Sequence, residues 1–334
     1  MTTPDPARSA TPRLETPMPT HVPTRPPAPQ RVAVLGRGSI GSVLIDRLAA
    51  GAVEGVVLTA VIGRPGQAAG STAPTRSGEA GTTDDAASSR TAPAGSPQSN
   101  TADATTAGGP AVPTPVGVPI VELEEGIAAA DVVVECASVA AARELGPAVV
   151  AAGRTLLLAS IGALNDPGAA RLLTGGPGRL VLTTGAIGGL DVLAAHQQAG
   201  GLREVTISST KKAASLVQPW MDEAQRTALE RATAPVTAFE GTAAEVIDLF
   251  PRSANVAVAV GLAVGDPHAV TVRMVADPEA TRTTHRVSAV SDAGTFSCTA
   301  ESDPSPLNPA SSALVPFAML AALAGLARPS GRFA

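Results

Sequence analysis

The chain has 334 residues, with 24 Lys+Arg against 29 Asp+Glu and a formal net charge of −5, so it lacks the basic face that nucleic acid or an anionic membrane surface requires. Five Phe, one Trp and no Tyr leave no platform for stacking bases, and Cys136 and Cys298, the two cysteines, cannot build a disulfide framework or a zinc cluster, so no metal site is expected. At roughly 150 residues per domain the length suggests two domains.

Residues 1–29 are rich in Pro, Thr and Ala without periodicity, the composition of a disordered tail. They contain no apolar core of a secretory signal, and a cytoplasmic protein is expected. RVAVLG (31–36) is an apolar, β-branched run suited to a strand buried on both faces. SIGSVLIDRLAAG (39–51) follows at helical spacing and ends on a glycine stop. A second strand covers 56–63. A low-complexity stretch over 65–115 then reads as an insertion looping out of the domain. Beyond it the alternation resumes: strand 118–122, a short helix near 123–130, strand 131–138, helix 139–152, and strands 154–160 and 179–185. Apolar strands alternating with helices indicate a doubly wound parallel sheet, Rossmann-type, spanning 30–187.

After Gly185 the pattern changes. A helix over 189–200 precedes a strand over 202–210 whose residues alternate apolar and polar, as on a sheet with one wet face. Helices are expected at 222–232 and 242–264, and strands at 269–277, 283–291 and 294–301. This makes 188–304 an α+β catalytic and dimerisation domain with a mostly antiparallel sheet. A last helix over 309–327, within a 305–330 segment, could pack back on the first domain. The apolar runs at 254–264 and 313–327 are shorter than the ~18–20 residues that cross a membrane.

Gly36-Arg37-Gly38-Ser39-Ile40-Gly41 matches G-x-G-x-x-G directly between a strand and a helix, the context in which that motif binds a dinucleotide. Gly36 permits the turn, Gly38 lets a pyrophosphate approach the backbone, and Gly41 lets helix and strand pack closely. Ser39 and Ile40 open the helix, whose first N–H groups favour an anion. The second strand ends on Ile62-Gly63-Arg64 instead of an acidic residue. Arg64 either accepts a 2′-phosphate or simply begins the insertion, so the cofactor is NAD or NADP.

In the second half, His285 stands in an expected strand among polar neighbours. A group titrating near neutrality suits proton transfer coupled to hydride transfer; on the residues alone, an ordinary surface histidine is the plainer reading. His21 falls in the tail, His196 on a solvated helix face and His268 in a turn. Cys136 and Cys298 read as small buried residues, and Asp191 as a complement to a helix dipole.

The stretches VLGRGSIG, VVECAS, SIGAL (160–164), GAIGGLD (185–191), FEG (239–241), FP..ANVA (250–257), VADP (275–278), His285 and NP..S (308–312) together resemble the L-aspartate dehydrogenase family over nearly all of 31–327 outside the insertion. The resemblance implies NAD(P)-dependent oxidative deamination of L-aspartate to iminoaspartate. That product either hydrolyses to oxaloacetate and ammonia or feeds quinolinate and hence pyridine nucleotide synthesis. It places the catalytic histidine on His285 and further cofactor contacts on Ala186 and Asn255. Aspartate has two carboxylates, so its pocket needs cationic or well-aimed N–H partners, for which Lys211 and Lys212 are the nearest candidates unless they line a solvated strand face. The chain departs from the family pattern at Thr283, where Asn is common, at Ala213 in place of Pro, and at Ala310 in place of Lys. These departures bear on the substrate and leave the cofactor reading intact. Two rival readings are a dehydrogenase for another small amino or hydroxy acid, and a non-catalytic NAD(P)-binding redox sensor. A homodimer is expected from the exposed antiparallel sheet.

Overall fold

The computed structural model describes residues 28–63 and 117–328; His21, Arg64 and the low-complexity stretch over 65–115 lie outside the described residues. Six strands form the first sheet: β1 (Gln30–Leu35), β2 (Val56–Ile62), β3 (Ile120–Val121), β4 (Val132–Glu135), β5 (Thr155–Leu158) and β6 (Arg179–Leu182). Their order is β3-β2-β1-β4-β5-β6 and every neighbouring pair is parallel. This is the doubly wound dinucleotide-binding order, whose switch point lies between β1 and β4.

Both faces of this sheet are covered, which is why its strands are continuous apolar runs. Helices α1 (Ser39–Ala49), α2 (Leu123–Ala129), α3 (Val139–Ala151) and α4 (Pro167–Thr174) connect the strands. One face buries Ala33, Val133, Leu156 and Leu158 together with Ile127, Val149 and Leu173 from α2, α3 and α4. The other buries Val32, Val34, Val134 and Leu157 against Leu44 and Leu48 of α1.

The second half continues with α5 (Leu190–Ala199), β7 (Glu204–Lys212), α6 (Glu223–Glu230), β8 (Val236–Thr242), α7 (Ala243–Leu249), α8 (Asn255–Val264), β9 (Val270–Asp277), β10 (Thr283–Ser291) and β11 (Gly294–Ser302). The sheet order is β11-β10-β7-β9-β8. Three of its pairings are antiparallel, and β7–β9 is parallel. Its inner face packs on α5, α7 and the wholly apolar part of α8 through Leu193, Val246, Val258 and Val260. The opposite face carries Thr206, Ser208, Thr210, Arg273 and Arg286, which line an open hollow of about 480 Å³.

The chain ends with a hairpin, β12 (Pro304–Ser305) and β13 (Asn308–Ser312), and with α9 (Val315–Ala327). Met319 and Leu323 of α9 are sealed against the first sheet beside α1, so the C-terminal helix packs back on the first half of the chain.

Two expectations are corrected. The single helix over 242–264 is two helices, because Pro251 has no N–H to continue the first of them. The helix expected from residue 309 begins at Val315. Ahead of it, the Asn308 side chain accepts from Ala310 N at 3.1 Å and donates to Ser311 Oγ at 3.1 Å, closing a local turn that competes with helix. Two further elements emerge. Strand β8 contains the FEG stretch. Helix α4 is opened by Asp166, whose carboxylate accepts from Ala169 N at 2.7 Å ahead of a first-turn proline.

Phe250, fully buried, meets Trp220 edge-on at 5.7 Å and Phe239 at 5.9 Å between ring centres. Removing that ring leaves a cavity between α7 and β8. Phe250→Ala is expected to lower unfolding free energy by about 3–5 kcal/mol in urea titration; a loss below about 1 kcal/mol would show that the cluster does not hold the second half together.

Candidate active site

The glycine loop is built as its spacing requires. Gly36 has φ +111°, and a Cβ there would lie 2.9 Å from the Ala137 backbone. A Cβ on Gly41 would lie 2.1 Å from the Gly36 carbonyl oxygen. Gly38 has no atom within 4 Å of such a position, which leaves the open approach that a pyrophosphate needs. No side chain caps α1, so the first N–H groups of the helix, at Ser39 and Ile40, face outward without helical partners. These residues fit a dinucleotide. The Ser39 hydroxyl lies 2.5 Å from that of Ser305 in the C-terminal hairpin.

Beside this loop, Glu135 ends β4 with 0% exposure. Its Oε1 accepts from Ala137 N at 2.8 Å, Ser138 N at 3.1 Å and Ser160 Oγ at 3.0 Å, and its Oε2 accepts from Ser160 N at 3.0 Å. Burial pushes its pKa above the usual carboxylate range, against the opposing pull of these donors. The carboxylate ties the start of α3 to the turn after β5, fixing the rim of the crevice at the carboxyl ends of the strands. Sequence reasoning missed this role; its signal was an acidic residue closing the apolar run VVVEC.

Across the crevice, β7 alternates, with Val205, Ile207, Ser209 and Lys211 buried and Lys212 exposed. On β10, Thr283, His285 and Val287 share the buried face, and His285 sits directly opposite Ser209. His285 is 3% exposed and Ser209 1%; His285 Nδ1 lies 2.8 Å from Ser209 Oγ. Burial, assisted by the charge on Lys211, pushes the imidazole down to about 3, so it is neutral at physiological pH.

Lys211 is 4% exposed. Its Nζ donates to the Ala310 carbonyl at 2.9 Å and to Ser253 Oγ at 3.4 Å. Among the described residues no carboxylate pairs with it, and burial lowers its pKa to about 8. The hairpin that receives Lys211 at Ala310 is the one that meets Ser39 at Ser305, so it links the imidazole's sheet to the glycine loop.

The other expected residues are placed as follows. Ala186 is buried just after Gly185, whose φ is +63°. Asn255 opens α8, and its Oδ1 accepts from Gly162 N at 2.9 Å; its two amide hydrogens are the groups left for a ligand. Lys212 is on the side of β7 opposite Lys211. His196 is half-buried and bonds Ser291 Oγ at 2.7 Å instead of facing solvent alone. His268 is exposed in a turn. The Cys136 thiol is sealed, its pKa raised by burial and then by Glu135.

Residues 191–326 match the family described as aspartate dehydrogenase, C-terminal, and residues 36–174 match the homoserine dehydrogenase NAD binding domain. An L-aspartate dehydrogenase of Methanopyrus kandleri is 37% identical over 207 residues, covering 60% of this chain and 73% of that protein. L-aspartate dehydrogenase 3 of Bordetella bronchiseptica is 30% identical over 300 residues, covering 89% and 95%. The crystal structure of aspartate dehydrogenase from Thermotoga maritima has the same fold, with a TM-score of 0.58 and 23% identity over 91% of this chain and 99% of that one.

The buried imidazole gives stability a pH window. Folded, it binds a proton only near pH 3, whereas its ordinary value is 6.5. The unfolded chain therefore binds more protons between those values. The stability it contributes is complete above about pH 6.5 and is lost as pH falls, at up to about 1.4 kcal/mol per unit. His285→Asn is expected to flatten the decline of unfolding free energy between pH 6.5 and 4.5 by about 2–3 kcal/mol; equal declines in both proteins would refute the depressed value.

Proposed function

The chain belongs to the L-aspartate dehydrogenase family, and from that membership we propose that it oxidises L-aspartate to iminoaspartate with NAD or NADP, using His285 as acid/base. One observation carries the reading of the site. A neutral imidazole and an ammonium without a carboxylate partner are buried on one face of the second sheet, and the hairpin that receives the ammonium also meets the glycine loop at Ser39. Burying a lone charge costs several kcal/mol. A dicarboxylate substrate supplies the missing counter-charge and a reason for retaining it.

Oxidation takes a hydride from Cα and a proton from the α-ammonium. The cofactor, when bound, supplies the hydride acceptor. Gly36, Gly38, Ser39, Ile40 and Gly41 hold its pyrophosphate, and Ala186 and the Asn255 amide hydrogens receive its nicotinamide end. Lys211 holds a substrate carboxylate, and this pairing offsets the positive field that adds to burial in keeping the imidazole from taking a proton. His285 accepts the proton from the substrate nitrogen, releases it to solvent, and, neutral again, accepts a proton from water attacking the imine. The exposed Lys212 has no part in this arrangement. The imine hydrolyses to oxaloacetate and ammonia or feeds quinolinate. The reading also includes a cytoplasmic homodimer formed through the uncovered, polar face of the second sheet.

Purified protein with L-aspartate and each cofactor is expected to form the reduced nicotinamide, read by its absorbance; no turnover with either cofactor at alkaline pH would sink the assignment. His285→Ala is expected to lower kcat by about 10²–10⁴ while NADH binding is kept. Lys211→Met is expected to raise KM for aspartate at least tenfold with cofactor affinity unchanged; an unaltered KM would remove Lys211 from the substrate site.

A further inference from the structure

We propose that Ser209 is a positioning residue that fixes His285 as the Nδ1–H tautomer, so that the Nε2 lone pair faces the reacting atoms. The inference rests on the reading of His285 as acid/base and assigns the group that orients it.

Strand register puts Ser209 directly opposite His285 on the inner face of the antiparallel β7–β10 pair. The hydroxyl lies 2.8 Å from Nδ1, and both residues are buried, Ser209 1% and His285 3% exposed. Nε2 makes no hydrogen bond among the described residues, yet it is not one of the sealed polar atoms that lack partners. It is therefore the ring nitrogen with access to the crevice. A neutral imidazole carries one N–H. If the serine donated to Nδ1, Nε2 would carry that hydrogen and could accept nothing. If the serine accepts from Nδ1–H, Nε2 is a base, and the same bond persists once the ring is protonated. The arrangement repeats the logic by which a third group orients a catalytic histidine, with a neutral hydroxyl in the role that a carboxylate often fills.

The choice of a hydroxyl follows from the surroundings. Lys211 is the charged group that acts on the ring. The flanking strands present Met274 and Ala276 of β9, and Ala300 and the Cys298 thiol of β11, on the same face. A carboxylate at position 209 would sit beside Lys211 and cancel the charge that the substrate is meant to meet. A hydroxyl orients the ring and leaves the ammonium unpaired.

The first test reads the tautomer without turnover. In protein labelled with ¹⁵N-histidine, the His285 resonances are assigned by their loss in His285→Asn. They are expected to show Nδ1 protonated and Nε2 bare at neutral pH, with the preference lost in Ser209→Ala. An Nε2–H tautomer in the wild-type protein would overturn the proposal whether or not aspartate is oxidised, and so separates its failure from that of the proposed function.

The second test is kinetic. Ser209→Ala is expected to lower kcat for aspartate ten- to hundredfold and displace the acidic limb of the pH profile. KM and NADH affinity should stay within threefold. Ser209→Thr, which keeps a hydroxyl, is expected to recover most of the rate. Two outcomes would refute the role: a kcat for Ser209→Ala within twofold of wild type, or a loss that falls equally on NADH binding and is not relieved by threonine.

Discussion

The contact on which the crevice depends is the hydrogen bond from the buried Lys211 ammonium to the Ala310 carbonyl. An ammonium sealed away from water needs either a counter-ion or well-aimed dipoles, and here it has two neutral oxygens. Those oxygens satisfy part of its capacity and none of its charge. The consequence is geometric as well as electrostatic. Drawing Lys211 onto the hairpin fixes β13 over the inner face of the second sheet, and Ser305 on the companion strand reaches Ser39 at the start of α1. The helix that follows the glycine loop and the strand pair that carries the imidazole are thus tied to one hairpin. Helix α9, which follows it, is anchored on the first sheet by Met319 and Leu323.

What could be read in the sequence was what depends on local pattern. The glycine loop was legible because each glycine answers to backbone geometry within a few residues: a positive φ at Gly36, an oxygen 2.1 Å from a hypothetical Cβ at Gly41. The strands of the first sheet, and those of the second apart from β8, were legible because burial on two faces writes a continuous apolar run and burial on one face writes an alternation. The sequence reading ended this strand at 210 and kept Lys211 and Lys212 together as candidates, but the same alternation, continued to residue 212, separates them. Carrying the phase of Val205 and Ile207 forward two steps at a time reaches Ser209 and Lys211, and carrying Val287 backward reaches His285. The surface-histidine reading is set aside by that phase.

What could not be read was what depends on partners distant in sequence. The hairpin over 304–312 has an apolar flank that passes for the start of α9, and it is held by the Asn308 turn and by contacts to Ser39 and Lys211 more than two hundred and about one hundred positions away. The break in the helix over 242–264 was written at Pro251, but the apolar residues on both sides masked it. Glu135 fell inside the strand expected over 131–138 and stood out by nothing but its charge. Its role emerges only when β4 and β5 lie side by side, so that one carboxylate can accept from Ala137, Ser138 and Ser160 together.

The two ends of the crevice are held differently from the cores behind them, and this bears on the substitutions that set the chain apart from its family pattern. Apolar packing tolerates exchange among residues of similar volume, whereas the Glu135 fan, the Gly162–Asn255 bond and the Ser209–His285 pair depend on single atoms at fixed distances. Of the departures, Ala310 loses a cation that the pattern places on the hairpin, while its carbonyl accepts from the Lys211 ammonium at 2.9 Å. Thr283 keeps a short polar group on the buried face of β10, two residues before the imidazole. Ala213 follows Lys212, where β7 has already turned to the exposed side, and touches only the hydrophobic cluster of the second half. The departures at Thr283, Ala213 and Ala310 therefore fall outside the Glu135, Gly162–Asn255 and Ser209–His285 contacts.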